Sequence, residues 1–367
     1  GYSNTMFIHN TLVPYLKTSE ETKTKPTQHS VKELTGLGIQ PDAIILRSEV
    51  KLDKHTKEKV SLFCNVPLEG VFEADDCSCI FDLPIDLHKQ GIDDFNLSAM
   101  EPDLSDFKQL IKKIKSLKNS VKIALVGKYV ELKDAYLSVY QALKAAGYAN
   151  DLNIDIDWIK STEINESNVE SLLCNCDGIL VPGGFGKRGI EGKILAIKYA
   201  RENKIPFLGI CLGMQLAVIE YAQNVLGMKD SNSTEFEPKC EYPVIDILHN
   251  QYDGIDMGGT LRLGSFDCKL LDDSLAFSCY KKDLIRERHR HRYEFNLECK
   301  DYFSSSDMVF SGINPQTGLV EIVELKNHPF FIASQFHPEF TSRPLKPNPL
   351  FDKFIHASML NKTKKEN

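Results

Sequence analysis

Between residues 120 and 210 the sequence repeats one pattern: a short, almost wholly apolar run, then a longer amphipathic segment. The runs are Val121-Lys-Ile-Ala-Leu-Val126, Gly178-Ile-Leu-Val181 and Pro206-Phe-Leu-Gly-Ile210. A strand that is apolar on both faces must be covered on both faces, as in parallel sheets with helical crossovers. The intervening segments fit such crossovers. Tyr136, Val139, Tyr140 and Leu143 share a helical face, with Asp134 as cap and Gly147 as stop. Ile190 to Glu202 also reads as helix. Asn153-Ile-Asp-Ile-Asp-Trp-Ile159 alternates with period two, a strand with one wet face. The predicted fold class is α/β, a mostly parallel sheet flanked by helices.

The flanking sequence extends this unit. Asp42 to Leu46 suits a buried strand, Ser61 to Asn65 a strand or a helix end, and the charged stretch Lys51–Lys59 lies exposed between them. Phe107, Leu110, Ile111, Ile114 and Leu117 form one helical stripe with a lysine-rich, solvated opposite face. Beyond residue 240 the pattern becomes rich in strands and loops, with runs at Val244–Leu248, Leu319–Glu324 and Phe330–Gln335. The expected organisation is a first α/β domain over 1–102, a linker helix over 103–119, a second domain over 120–361 and a polar tail over 362–367.

Composition narrows the function classes. The 367 residues include 44 Lys plus Arg against 51 Asp plus Glu, a net charge of −7, which argues against nucleic-acid or membrane-surface binding as the main role. No apolar run reaches the roughly 18–20 residues of a membrane-spanning helix. Ten cysteines are scattered, and the first residues do not read as a signal peptide, so free thiols in a cytoplasmic setting are expected. Cys77/Cys79 and Cys174/Cys176 lack zinc spacing, and no metal site is expected.

Three segments carry chemistry, and each follows a strand-like run. Gly209-Ile-Cys211-Leu-Gly213 is a G-x-nucleophile-x-G elbow with Cys in the nucleophile position. A helix N-terminus there favours the thiolate, and the Leu212 amide can help stabilise an oxyanion. Val181-Pro-Gly-Gly-Phe-Gly186 exposes backbone amides that could complete an oxyanion hole or bind phosphate. It is not a Walker A loop, because Gly186-Lys187 is followed by Arg188. Ala333-Ser-Gln-Phe-His337-Pro-Glu339-Phe340 offers a base and an orienting carboxylate two residues apart.

Together these motifs resemble the class I glutamine amidotransferase family, whose domain is flavodoxin-like. The resemblance implies a Cys211–His337–Glu339 triad that hydrolyses the side-chain amide of glutamine through a γ-glutamyl thioester. Asn232-Ser-Thr-Glu235-Phe236, Gly258–Gly264, Glu287-Arg-His-Arg-His-Arg-Tyr293 and Lys23–Val31 resemble the CTP synthase family in particular. That resemblance covers essentially the whole chain. It implies that residues 120–361 are the glutaminase domain and residues 1–102 the C-terminal part of an amidoligase (synthetase) domain. It further implies glutamine contacts at Gly184, Leu212, Gly213, Met214 and Gln215. Glu235 and Arg292 would hold the α-amino and α-carboxylate groups, since Arg grips a carboxylate through a planar fork. UTP or CTP would meet Lys23, Lys25, Gln28 and Lys59, and ATP would meet Arg47 and Asp76. The implied auxiliaries are Mg²⁺ with ATP, GTP as an allosteric activator and a homotetrameric assembly.

The basic run Arg286–Arg292 could also be a nucleic-acid patch, but no aromatic platform accompanies it, and anion capture in the glutaminase site accounts for it better. Asn250–Gly258 resembles a short lid. The chain opens Gly1-Tyr-Ser without Met, and the family's Gly-rich phosphate loop and acidic Mg²⁺ ligands are not found in it. The expectation is therefore a fragment that hydrolyses glutamine but does not make CTP alone. The rival readings are a stand-alone γ-glutamyl hydrolase, which Lys23–Val31 disfavours, and a non-catalytic filament or regulatory scaffold, which an intact triad disfavours.

Overall fold

The computed structural model describes residues 5–95, 100–247 and 262–366. The chain forms two compact units, Gly1–Lys115 and Ser116–Asn367. In the first, three parallel strands lie in the order Ile8–Leu12, Ala43–Ser48, Val71–Asp75. Their core is Val13, Val31, Ile44, Leu46, Val60, Val66 and Val71 together with Leu52 and Cys64.

Ser61–Cys64 is the end of helix Lys54–Cys64, which stops at Asn65 in the left-handed region (φ 53°). Much of the stretch read as exposed is thus helical. Thr56, Val60 and Cys64 are buried at i, i+4, i+8, and Asp53 caps the first turn through the Thr56 amide at 2.6 Å. Leu52 is buried too, and Lys57 pairs with the buried Glu73 at 3.0 Å. Helix Ser105–Ser116 buries Leu110 and Ile111, sets Phe107 near Phe81, and leaves Lys108, Lys112 and Lys115 exposed.

The second unit is built on a nine-stranded sheet. Its order is Leu284–His291, Arg262–Leu270, Met308–Ile313, Val320–Leu325, Phe331–Ser334, Phe207–Ile210, Gly178–Val181, Ser120–Gly127, Asn153–Lys160. The last five strands are parallel. The first four are an antiparallel extension, contributed by the strand-rich sequence after residue 240. Strand alternation divides the interior. Val121, Ile123 and Leu125 enter the core shared with helices Leu137–Ala149 and Pro349–Glu366. Ala124 and Val126 enter the core under helices Ile190–Glu202 and Leu212–Asn224. This two-sided burial is what the apolar runs require.

Several local expectations change. Gly147 lies inside helix Leu137–Ala149 and does not stop it. A Cβ there would stand 2.6 Å from Ile154 Cγ1, so glycine serves close helix–strand packing. Asp134 lies within a 3-10 turn, Lys133–Tyr136, and caps nothing. The tail residues 362–366 continue the last helix, where Lys362 and Lys365 donate to the carbonyls of Ser120 and Cys176.

Candidate active site

The three chemical segments follow three adjacent parallel strands, Gly178–Val181, Phe207–Ile210 and Phe331–Ser334, at their carboxyl ends. This is where open parallel sheets place their ligands. Cys211 sits between strand Phe207–Ile210 and helix Leu212–Asn224 at φ 51°, ψ −102°, a conformation that non-glycine residues avoid. The flanking glycines are needed for contact. A Cβ on Gly213 would stand 2.1 Å from the Val181 carbonyl oxygen, and one on Gly209 would stand 2.8 Å from Ala333 Cβ. The strand, the elbow and the helix are therefore locked together. The Cys211 amide donates to the Ser334 carbonyl at 2.7 Å.

His337 and Glu339 flank the same point. His337 Nδ1 and Glu339 Oε1 are 2.8 Å apart, and the imidazole stacks on Phe340 with centroids at 5.3 Å. His337 Nε2 is buried without a hydrogen-bond partner. The position a Cβ would take on Gly183 is 2.9 Å from His337 Cε1 and 3.6 Å from Cys211 Cβ, so both side chains border this glycine. Burial opposes a charged His337, but the Cys211 sulfur and the Glu339 carboxylate outweigh it and hold the imidazole up at about 10.

The other glutamine-contact candidates separate into two groups. Gly184 and Leu212 border a cavity of about 300 Å³ beside the elbow. The Leu212 amide is the first of its helix, a donor that helix geometry leaves without an internal partner. Glu235 Oε1 accepts from the Gly186 amide at 2.8 Å. Arg292 is exposed. Burial and the Glu235 carboxylate push the Tyr293 phenol up while Arg292 acts in the opposite sense, so these three form one neighbourhood. Gln215 is buried, and its Nε2 is committed to the Tyr293 carbonyl at 2.8 Å and to Gln335 Oε1 at 3.3 Å. Met214 is wholly buried in the core and its amide donates to the Cys211 carbonyl, so neither group faces the cavity.

Two neighbours of the site escaped the sequence reading. Gln335 Nε2 approaches Cys211 Sγ at 3.7 Å, from inside the His337 motif. Lys193 is 2% exposed and its Nζ lies 3.5 Å from the Cβ position of Gly184. Burial, with Lys128 adding to it, holds Lys193 down at about 8. Its signal was a lysine on the apolar face set by Ile190, Ile194 and Ile197. The rest of the cavity is lined by Lys128, Tyr129, Phe185 and Arg188, among others. The basic run departs most from expectation. In strand Leu284–His291 the arginines 286, 288 and 290 face out, while Glu287, His289 and His291 are buried. Arg292, just past the strand, lies in the Glu235 neighbourhood. The lid candidate Asn250–Gly258 lies outside the described residues.

In the first unit, a cavity of about 410 Å³ is lined by Glu21, Thr24, His55 and Lys59, among others. Lys23 pairs with Glu21 at its rim, and Gln28 Nε2 bonds Thr24 Oγ1 at 3.1 Å. Lys25 is exposed in the first turn of helix Lys25–Gly36. Arg47 and Asp76, from the ends of neighbouring strands, form an exposed ion pair at 3.7 Å. Among the described residues no group of three or more His, Cys, Asp or Glu could hold a metal ion, and no helix is long and apolar enough to cross a membrane.

Comparisons with known proteins agree on both units. Residues 131–357 match the family model for glutamine amidotransferase class-I, and residues 1–101 match the model for the CTP synthase N-terminus. A CTP synthase of Bacillus licheniformis is 55% identical over 364 residues, covering 98% of this chain and 68% of the relative. The CTP synthase of Bacillus subtilis is 52% identical with the same coverage. Among solved structures, the glutaminase domain of Trypanosoma brucei CTPS with bound acivicin is 38% identical, with a TM-score of 0.62. That match covers 66% of this chain and 94% of the other.

Proposed function

The chain belongs to the CTP synthase family, and on that premise we propose that Cys211, His337 and Glu339 form its glutamine-hydrolysing centre. The observation that carries the proposal is the meeting of the elbow cysteine and the Glu339-bound imidazole around Gly183. The Cys211 thiolate attacks the side-chain carboxamide of glutamine. The developing oxyanion takes hydrogen bonds from the Leu212 amide and from the loop at Gly183–Gly184. The His337 imidazolium gives its proton to the departing ammonia. Water then attacks the γ-glutamyl thioester, with neutral His337 as base, and glutamate leaves. Glu339 keeps Nδ1 protonated throughout, so that Nε2 faces the chemistry. Glu235 and Arg292 bind the amino and carboxylate ends of the substrate. The bacterial relatives and the acivicin-bound glutaminase domain support this assignment.

In the family's complete reaction this ammonia aminates UTP in an ATP-dependent step. We propose that the cavity bordered by Lys59 and Glu21 receives UTP, or CTP as inhibitor, with Lys23, Lys25 and Gln28 at its approach. We assign ATP to the Arg47–Asp76 ends of the first sheet. Mg²⁺ accompanies ATP in this reading, but no cluster in the described residues fits it. GTP is the proposed activator. The cavity lined by Lys128, Arg188, Tyr129 and Phe185 offers cations for phosphates and rings for a base. A homotetramer is the proposed assembly. The test is glutamate release from glutamine by the purified protein, with and without UTP, ATP and GTP. Release that Cys211→Ala abolishes supports the centre, and release that Cys211→Ala leaves unchanged refutes it.

A further inference from the structure

We propose that Glu287 is a positioning residue for the glutaminase centre, a clamp that holds the His337–Glu339 turn against strand Leu284–His291. The inference rests on the reading of that centre given above. Glu287 is 4% exposed on the buried face of the strand. Three donors converge on it: Tyr280 Oη and Asn348 Nδ2 reach Oε1 at 2.8 Å each, and Thr341 Oγ1 reaches Oε2 at 2.6 Å.

These partners lie where they control the turn. His337 opens it, the 3-10 turn Pro338–Phe340 carries Glu339, and Thr341 closes it. The carbonyl of Arg288, the next residue of the strand, accepts the His337 amide at 2.8 Å. Consecutive strand residues thus grip the turn at both ends, one through its side chain and one through its backbone. Asn348 Nδ2 also bonds Thr341 Oγ1 at 2.9 Å, which ties the following loop into the same clamp. A buried carboxylate is costly unless it is fully bonded, and here three side-chain donors from the turn and its neighbours supply those bonds. Within the basic run the arginines point outward, where Arg286 pairs with Asp267 at 2.9 Å, and the inward Glu287 serves the turn that carries His337 and Glu339.

The experiment measures glutamate release by the full chain for Glu287→Gln, Thr341→Val and Thr341→Ser. Thr341→Val removes one hydroxyl, with its bonds to Glu287, Asn348 and the Pro338 carbonyl, at nearly constant volume, and it reports on the clamp even where a Glu287 variant does not fold. Displacing a reacting group by about 1 Å costs about 100-fold, so Glu287→Gln and Thr341→Val are expected to lower kcat by about 10- to 100-fold. KM for glutamine should stay within about threefold, because Glu235 and Arg292 are untouched. Thr341→Ser, which keeps the hydroxyl, should restore kcat to near the unmodified value. Unmodified kcat in Thr341→Val, or equal losses in Thr341→Val and Thr341→Ser, would overturn the clamp. Cys211→Ala in the same assay separates the two claims. If it is inactive while Thr341→Val is normal, the clamp alone fails. If it is fully active, the centre itself fails, and the clamp with it.

Discussion

The conformation of Cys211 makes a prediction about stability that is opposite in sign to its effect on activity. A residue with a Cβ at φ 51°, ψ −102° carries strain of about 1–3 kcal/mol. Cys211 is 5% exposed, and Cys211→Ala and Cys211→Gly both remove its sulfur and differ only in whether the Cβ remains. At an ordinary position glycine is worse than alanine by about 0.5–1 kcal/mol, through the entropy of the unfolded chain. Here the strain released by losing the Cβ should exceed that penalty. Cys211→Gly should therefore be more stable than Cys211→Ala by about 1 kcal/mol, a difference of about 3 °C in Tm for a unit of this size. Calorimetric melting of the two variants side by side measures it. Both should be inactive towards glutamine. A Cys211→Gly protein melting at or below the Cys211→Ala protein would mean that the elbow is not strained.

Further consequences concern buried charge, pH and substrate grip. Arg262 is 5% exposed and bonds Glu294 at 2.9 Å and Glu321 at 2.8 Å, so Arg262→Ala strands two buried carboxylates. Urea titration should show a loss of about 3–5 kcal/mol, and a loss under about 1 kcal/mol would contradict the pairing. His328 accepts from the Phe330 amide at Nδ1 and bonds the Ala200 carbonyl at Nε2, so the neutral ring is fully satisfied. Burial depresses it to about 4, opposed by its bond to Ala200. The unfolded chain therefore binds the extra proton first as pH falls, and this contribution to stability is present above about 6.5 and lost progressively towards pH 4. His328→Phe should flatten the stability–pH slope in that window by about 1.4 kcal/mol per unit, and an unchanged slope would contradict it. Arg292→Lys keeps the charge but loses the planar fork, so KM for glutamine should rise about tenfold, and an unchanged KM would remove Arg292 from the site.

The parts of this protein that sequence reading recovered are those fixed by local chemistry. The two-faced apolar runs gave the parallel strands, because covering both faces leaves few alternatives. The elbow was readable because Gly209 and Gly213 are required by contacts of 2.8 and 2.1 Å beside a strand and a helix. The misreadings share a different cause, which is packing between distant segments. Gly147 looked like a helix stop, yet its constraint comes from Ile154 in the following strand. Ser61–Asn65 is too short and apolar for periodicity to separate strand from helix, and the left-handed Asn65 settles it. The basic run drew attention to its arginines, while the tertiary structure uses the Glu and His residues between them. Gln335 and Lys193 carry no motif of their own and become neighbours of Cys211 and Gly184 only when the sheet assembles.

The central claim is that Cys211 is the nucleophile that carries the glutamyl group. The most direct measurement is to mix the purified protein with glutamine, quench in acid during turnover, and map covalent adducts by peptide mass spectrometry. The account predicts a γ-glutamyl adduct on the peptide containing Cys211, and none in His337→Ala at the same time of quench. An adduct on any of the other nine cysteines, or sustained glutamate release by Cys211→Ala without any adduct, would contradict it.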